Sequence, residues 1–313
     1  MAETNPTQPY ILVIGAAGID SKGRAGMPLT LGSSTPGTVR ISVGGVARNV
    51  ADNLARLGVE PILLSAIGSG GSGKRILAGA EAVGINTDFC IVTGEYHTSA
   101  YLALLDEQGR LVMSIDDMRI LECITPQLIN KKRDLMRNAE MVFFDCNLSQ
   151  ETIDVIFKVA KRYKVPVCAD TASTALAPRV EPHLSDIYMI TPNVAETEIL
   201  CGHSVADEND AITAARSLVN GGVKIALITL GEAGVVYATA NASGHVPARP
   251  TEVIDPTGAS DALTATVLFG LLNDIPIDEA VRLGVTAASL TLATPDTVCE
   301  ELSLELLYDS LVI

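Results

Sequence analysis

Short apolar runs, each closed by turn residues and followed by a stretch with helical spacing, recur along this chain of 313 residues. From Glu140 onward the alternation is regular: 141–144, 167–169, 187–190, 225–229 and 235–238 read as strands with helices between them. Tyr10–Ile14 reads as a buried first strand, and 61–67 as a later one. Strands separated by helices pair in parallel, and the helices then cover both faces of the sheet. The composition, 48% hydrophobic with no tryptophan, suits such a Val/Ile/Leu/Ala-rich sheet. The length accommodates one large α/β domain or two smaller ones.

Charge and cysteine usage narrow the function classes. The formal net charge of −15 disfavours nucleic acid and anionic membrane surfaces as partners. Any bound anion must then be held by local features such as helix ends, a few basic groups or a divalent cation. Cys90, Cys123, Cys146, Cys168, Cys201 and Cys299 are scattered, without paired metal spacing, and read as reduced structural thiols of a cytoplasmic protein. No apolar segment is long enough to span a bilayer, and the polar stretch 1–9 lacks a signal-peptide pattern.

One stretch concentrates chemistry. Asp255-Pro256-Thr257-Gly258-Ala259-Ser260-Asp261 precedes an apolar run in which Leu263, Val267, Leu268 and Leu271 recur at helical spacing. Thr257 is the expected N-cap. The N–H groups of Gly258, Ala259, Ser260 and Asp261 would converge at a helix end, a ready anion site. A carboxylate in that first turn opposes a bound anion unless it takes a proton from an attacking hydroxyl, so Asp261 is a candidate general base. An ordinary helix start with an acidic first turn explains the same residues.

Upstream, the first strand ends in Gly15-Ala16-Ala17-Gly18-Ile19-Asp20, which places Asp20 where ligands gather in parallel sheets. A solvated loop aspartate is the alternative. Residues 21–43, rich in Gly, Ser, Pro and Thr, read as irregular chain with one short strand at 39–41. Gly44 and Gly45 then form a turn into a helix with Val46, Val50, Leu54 and Leu57 on one stripe, from which Asn49 can point back to a ligand. A hairpin is expected over 98–105 and 110–115, with both faces largely apolar: Tyr101, Ala103 and Leu105 on one, Leu102 and Leu104 on the other. Gly68-Ser69-Gly70-Gly71-Ser72-Gly73-Lys74-Arg75 nearly spells a P-loop, but Arg75 stands where that motif needs a metal-ligating hydroxyl. It reads as a turn into the next helix.

Taken together, these segments resemble the ribokinase (PfkB) family of carbohydrate kinases. The heptapeptide 255–261 is similar to the family's Asp-Thr-Xaa-Gly-Ala-Gly-Asp signature, departing from it at Pro256 and Ser260. Gly44-Gly45-Val46-Ala47-Arg48-Asn49 resembles its N-terminal signature, and Thr191-Pro192-Asn193-Val194-Ala195-Glu196 its Asn-Xaa-Xaa-Glu element. Thr229-Leu230-Gly231-Glu232-Ala233-Gly234 resembles its nucleotide-contacting turn, and Gly18 stands where the family has Asn.

The resemblance implies a three-layer α/β/α ribokinase-like domain over 1–313, with a mainly parallel central sheet and a small β-sheet lid over about 21–43 and 93–118. It implies Asp261 as base, with Gly258, Ala259 and Ser260 as anion hole. Asp20, Gly44, Gly45, Asn49 and Asp117 would hold the acceptor, and Asn193, Thr229, Gly231 and Gly234 would hold ATP. Glu196 would position Mg²⁺ through water, with a monovalent cation such as K⁺ at Asp255 and Thr257. A homodimer through the lid is also implied.

Within the family, the stretch 44–51, the segment Ser114-Ile115-Asp116-Asp117-Met118 and Asp145-Cys146-Asn147-Leu148-Ser149 resemble members that phosphorylate the 5′-hydroxyl of pseudouridine. The segment 170–175 lacks a downstream lysine that those members carry. Another sugar or nucleoside kinase of the family, or a weakly catalytic sugar- or nucleoside-binding protein, stays open.

Overall fold

The computed structural model describes residues 9–311. Its strands are β1 (Tyr10–Ile14), β2 (Gly18–Ala25), β3 (Gly37–Gly44), β4 (Glu60–Leu64), β5 (Ala66–Gly68), β6 (Ile91–Thr93) and β7 (Ser99–Leu105). They continue as β8 (Leu111–Asp117), β9 (Met141–Asp145), β10 (Val167–Asp170), β11 (Met189–Ile190), β12 (Ile225–Thr229), β13 (Val235–Thr239) and β14 (Ser243–Val246). The α-helices are α1 (Val46–Arg56), α2 (Gly71–Ala82), α3 (Pro126–Lys131), α4 (Arg133–Asn138) and α5 (Gln150–Tyr163). After them come α6 (Val194–Cys201), α7 (Glu208–Asn220), α8 (Ala259–Leu272), α9 (Ile277–Leu292) and α10 (Leu304–Ser310).

Eight strands form the central sheet in the order β14-β13-β12-β11-β10-β9-β1-β4. The pairs from β12 to β4 are parallel, while β13 and β14 add antiparallel at one edge. Alternation along each strand divides the core. Leu12, Ile14, Val142 and Phe144 pack with α4, α5 and α7 on one face. Ile11, Val13, Met141 and Phe143 pack with α1, α8 and α9 on the other. Helix α8 is buried from Asp261 through Gly270, as an apolar helix enclosed on all sides must be. This is the expected three-layer α/β/α arrangement. All six cysteines are free thiols, and no helix among the described residues is long and apolar enough to cross a membrane.

A second sheet, β3-β2-β7-β8, stands over the carboxyl ends of the central strands. The hairpin β7–β8 forms as expected, its turn fixed by Asp106, whose carboxylate accepts from the N–H groups of Gln108 and Arg110. Segment 21–43 departs from expectation: in place of irregular chain with one short strand, β2 and β3 pair over eight residues each. Local propensity is poor there, because β2 carries two glycines and three charged residues. Its pairing is decided by neighbours, β3 on one side and β7 on the other.

The two faces of this sheet are chemically unlike, where the sequence suggested two apolar ones. Asp20 aligns with Ser42 and Tyr101, and Tyr101 with Asp116, on the face toward the body of the molecule. On the other face Ser21 aligns with Ile41 and Leu102, and Leu102 with Ile115. Ile41, Leu102 and Ile115 are more than half exposed. The near-P-loop is a plain turn: Gly70 caps α2 in extended conformation, and Lys74 and Arg75 are exposed.

Candidate active site

Helix α8 starts at Ala259, with Gly258 as its N-cap at φ 87°. A Cβ on Gly258 would lie 1.9 Å from the Thr297 carbonyl oxygen, so both the left-handed backbone and the space demand glycine. Thr257 is therefore not the cap. Its hydroxyl instead accepts from Lys22 Nζ, which also lies 2.6 Å from both carboxylate oxygens of Asp255. The N–H groups of Gly258, Ala259, Ser260 and Asp261 have no acceptor among the described residues, and Ser260 is exposed. A helix end with four open N–H groups is thus formed.

Asp261 is 8% exposed, and Asn49 Nδ2 donates to its Oδ2 at 2.7 Å. Arg48 Nη1 donates to Asn49 Oδ1 at 2.9 Å. A guanidinium can only donate, so the Asn49 oxygen must face Arg48 and its NH₂ must face Asp261. Arg48 is itself bound to Asp52 at 2.8 Å, and Asp52 to Arg56 at 2.7 Å. Burial pushes the Asp261 carboxyl up to about 7; the nearby Asp145 and Asp20 charges add to the rise, while the Asn49 hydrogen bond and Arg48 oppose it. A carboxyl poised near neutrality suits general-base work.

Asp20, 7% exposed, lies on the inward face of β2, its carboxyl raised mainly by burial, with Lys22 opposing. Gly44 is needed beside it, since a Cβ there would lie 2.4 Å from the Asp20 carboxylate. Gly45 is the N-cap of α1, whose second turn carries Asn49. The sequence did not single out Asp145 as a site residue. Its buried carboxylate accepts from the N–H of Ala16 at 2.7 Å, of Ala47 at 3.2 Å and of Asn147 at 3.1 Å. One charge thus ties together the ends of β1 and β9 and the start of α1, at the point where the chain order of the sheet reverses direction.

Asp117 stands apart from this cluster. Its carboxylate is held by Arg119 at 2.7 Å, whereas Asp116 shares the inward row with Tyr101 and Asp20. Asp116, Asp117, Arg119, Asn147, Ser149 and Arg179 line a cavity of about 570 Å³ between β8 and the exit of β9.

Farther along the same sheet edge, Asn193 caps α6 in a reciprocal capping box with Glu196. The Glu196 carboxylate accepts from Thr171 Oγ1 at 2.6 Å, Asn193 N at 2.9 Å and Asn193 Nδ2 at 2.8 Å. Asn193 bridges Thr229 at the end of β12, and the turn beyond contains Gly231 and Gly234, both at positive φ. Asn193, Thr229, Gly231, Gly234 and Glu196 therefore lie together. Among the described residues no three His, Cys, Asp or Glu side chains gather to hold a metal alone. With most of its lone pairs committed, Glu196 fits an Mg²⁺ that keeps water and phosphate oxygens as its main ligands.

Thr297, Arg48, Asp145 and Lys22 are the residues that sequence reasoning missed. Arg48 sits within the quoted Gly44–Asn49 motif, but its role appears only once Asn49 and Asp261 meet across 212 positions.

Comparison with known proteins places this geometry. The profile of the pfkB family carbohydrate kinases matches residues 8–301. An uncharacterized sugar kinase of Escherichia coli (strain K12), YeiI, is 33% identical over 92% of this chain and 79% of its own length. Pseudouridine kinase of the same organism is 32% identical over 94% of both chains. A solved structure, a putative sugar kinase from Clostridium perfringens, superposes with a TM-score of 0.83 at 32% identity, covering 97% of this chain and 96% of that one.

Proposed function

This chain belongs to the pfkB family of carbohydrate kinases, phosphotransferases acting on hydroxyl groups, and we propose that its acceptor is a ribonucleoside, pseudouridine first, phosphorylated on the 5′-hydroxyl by ATP. The observation that carries the nucleoside reading is the cavity of about 570 Å³ beside Asn147. That volume suits a small-molecule site. Asn147 joins the cavity to the site through its hydrogen bond to Asp145. With the Ser149 hydroxyl engaged by Thr152 and Arg179 Nη1 by the Cys146 and Leu148 carbonyls, the Asp116 carboxylate, the Asn147 amide oxygen and the other Arg179 N–H groups are what the rim offers a base edge. The similarity to a pseudouridine kinase across nearly the whole chain points the same way.

In the proposed mechanism Asp20 and the Gly44–Gly45 turn hold the ribose, and Asp261 takes the proton of the attacking hydroxyl. The N–H groups of Gly258, Ala259 and Ser260 meet the charge that develops on the transferring phosphoryl group, where prearranged dipoles act most strongly. Asn193, Thr229, Gly231 and Gly234 lie along the edge where ATP would run. When bound, Mg²⁺ neutralises phosphate charge, and Glu196 is the carboxylate placed to hold its water shell. The β2-β3-β7-β8 sheet acts as a lid that closes over the acceptor.

A panel of pseudouridine, uridine, inosine, guanosine and free ribose, each with ATP and Mg²⁺ and read by phosphorus NMR of the product, tests the acceptor. Phosphorylation of pseudouridine at its 5′ position with the highest kcat/KM is expected. The similarity to a sugar kinase makes a free sugar the competing acceptor, and turnover on ribose alone would overturn the nucleoside reading.

A further inference from the structure

Lys22 reaches out of β2 to the turn that precedes α8, 233 positions away in sequence. Its Nζ lies 2.6 Å from each oxygen of Asp255 and also donates to the Thr257 hydroxyl. The Lys22 and Asp255 side chains are 12% and 15% exposed, so little water competes for these contacts. The two Asp255 oxygens share one side of the ammonium and the Thr257 hydroxyl takes another, so three oxygens surround it. Thr257 N–H closes the ring by donating to Asp255 Oδ1 at 2.9 Å. The residue that follows is Gly258, the left-handed N-cap of α8.

A positive charge at this point has a physical task. Asp255 and Asp20 are close enough for their charges to repel, and both flank the turn expected to receive an anionic phosphoryl group. Carboxylate and hydroxyl oxygens at Asp255 and Thr257 would also suit a potassium ion, which resembles ammonium in charge and size. Here those same oxygens are engaged by the chain's own ammonium.

We propose that Lys22 serves as a tethered monovalent cation: it holds the 255–258 turn in its anion-binding shape, and the enzyme needs no added K⁺. The kinetic half of this inference rests on the kinase reading; the structural half does not. A lysine on β2 also couples the anion hole to the seating of the lid, which a free ion could not do.

Melting temperatures and initial rates, measured in KCl, NH₄Cl and choline chloride at one ionic strength, test it. Wild-type protein should melt at the same temperature in all three salts, and its rate should differ by less than about twofold, since screening is held constant. Lys22→Ala should melt lower in choline and lose on the order of ten- to hundredfold in rate, the scale of a lost charge-assisted hydrogen bond. Both deficits should be partly restored by K⁺ or NH₄⁺. Wild-type melting or turnover that rises with K⁺ over choline would overturn the proposal, and that comparison needs no variant. So would a Lys22→Ala deficit that is the same in every salt, as expected if Lys22 contacts phosphate instead. If no acceptor is phosphorylated, the melting comparison still decides.

Discussion

Asp261 shows how burial sets chemistry at a single residue. Its carboxyl is pushed up to about 7 chiefly because the charged form is desolvated, and the Asn49 hydrogen bond restrains the rise. A base must be ionised to act, so kcat/KM should fall on the acid side with a limb centred near 7. Asn49→Leu removes a bond that favours the charged form, so the limb should move to higher pH. A profile flat from about pH 5.5 to 8.5 would contradict the assignment of Asp261 as base. The same shift has a stability consequence. The folded value lies above the ordinary 3.8, so the stabilisation from the neutral carboxyl is full below 3.8 and is lost as pH rises through about 7. Asp261→Asn should therefore melt above wild type at pH 8, and the gap should close toward pH 5. Thermal scans across that range read the sign directly.

At the scale of elements, the start of α8 was readable because short-range rules govern it: a glycine turn, an acidic first turn and apolar spacing. What those rules could not supply was its partner set. Thr257 has the composition of an N-cap, but the Gly258 backbone takes the cap position and Lys22 claims the hydroxyl. Strand β2 was unreadable for a related reason. Lys22 pairs with Asp255, 233 positions away, and Arg24 with the Glu107 carbonyl, 83 positions away, so nothing local announces a strand. The Asn193-Xaa-Xaa-Glu196 element was legible only as a family resemblance, and the capping box it forms came from the structure. Ser260 tests the helix end. Its side chain is exposed and the substitution leaves the backbone N–H groups in place, so Ser260→Gly should keep full activity. Glycine should also lower the melting temperature slightly, since it costs roughly 0.5–1 kcal/mol in a helix relative to alanine. Ser260→Leu should depress kcat far more than acceptor affinity, because the anion hole acts as charge develops. A Leu variant with unaltered kcat would mean that phosphate does not pass this turn.

For the molecule as a whole, alternation of apolar runs and helices dictated the three layers, because each strand's two faces need separate covers. The small sheet lacks a cover on one side. Val39, Ile41, Leu102, Met113 and Ile115 are all more than half exposed there, and an apolar sheet face of that breadth is normally covered. A second copy of the chain, pairing lid against lid, is the occupant we propose. Sedimentation should report a dimer, and Leu102→Glu combined with Ile115→Glu should give a monomer. A wild-type monomer at every accessible concentration, with and without acceptor, would remove the lid pairing.

The site at the sheet's carboxyl edge stands or falls with proton removal by Asp261. Steady-state turnover of Asp261→Asn on the preferred acceptor, set beside calorimetric binding of that acceptor, isolates the step. The expected result is a fall in kcat on the order of 10²–10⁴ with acceptor affinity little changed; near-normal kcat in the variant would contradict general-base catalysis at this residue.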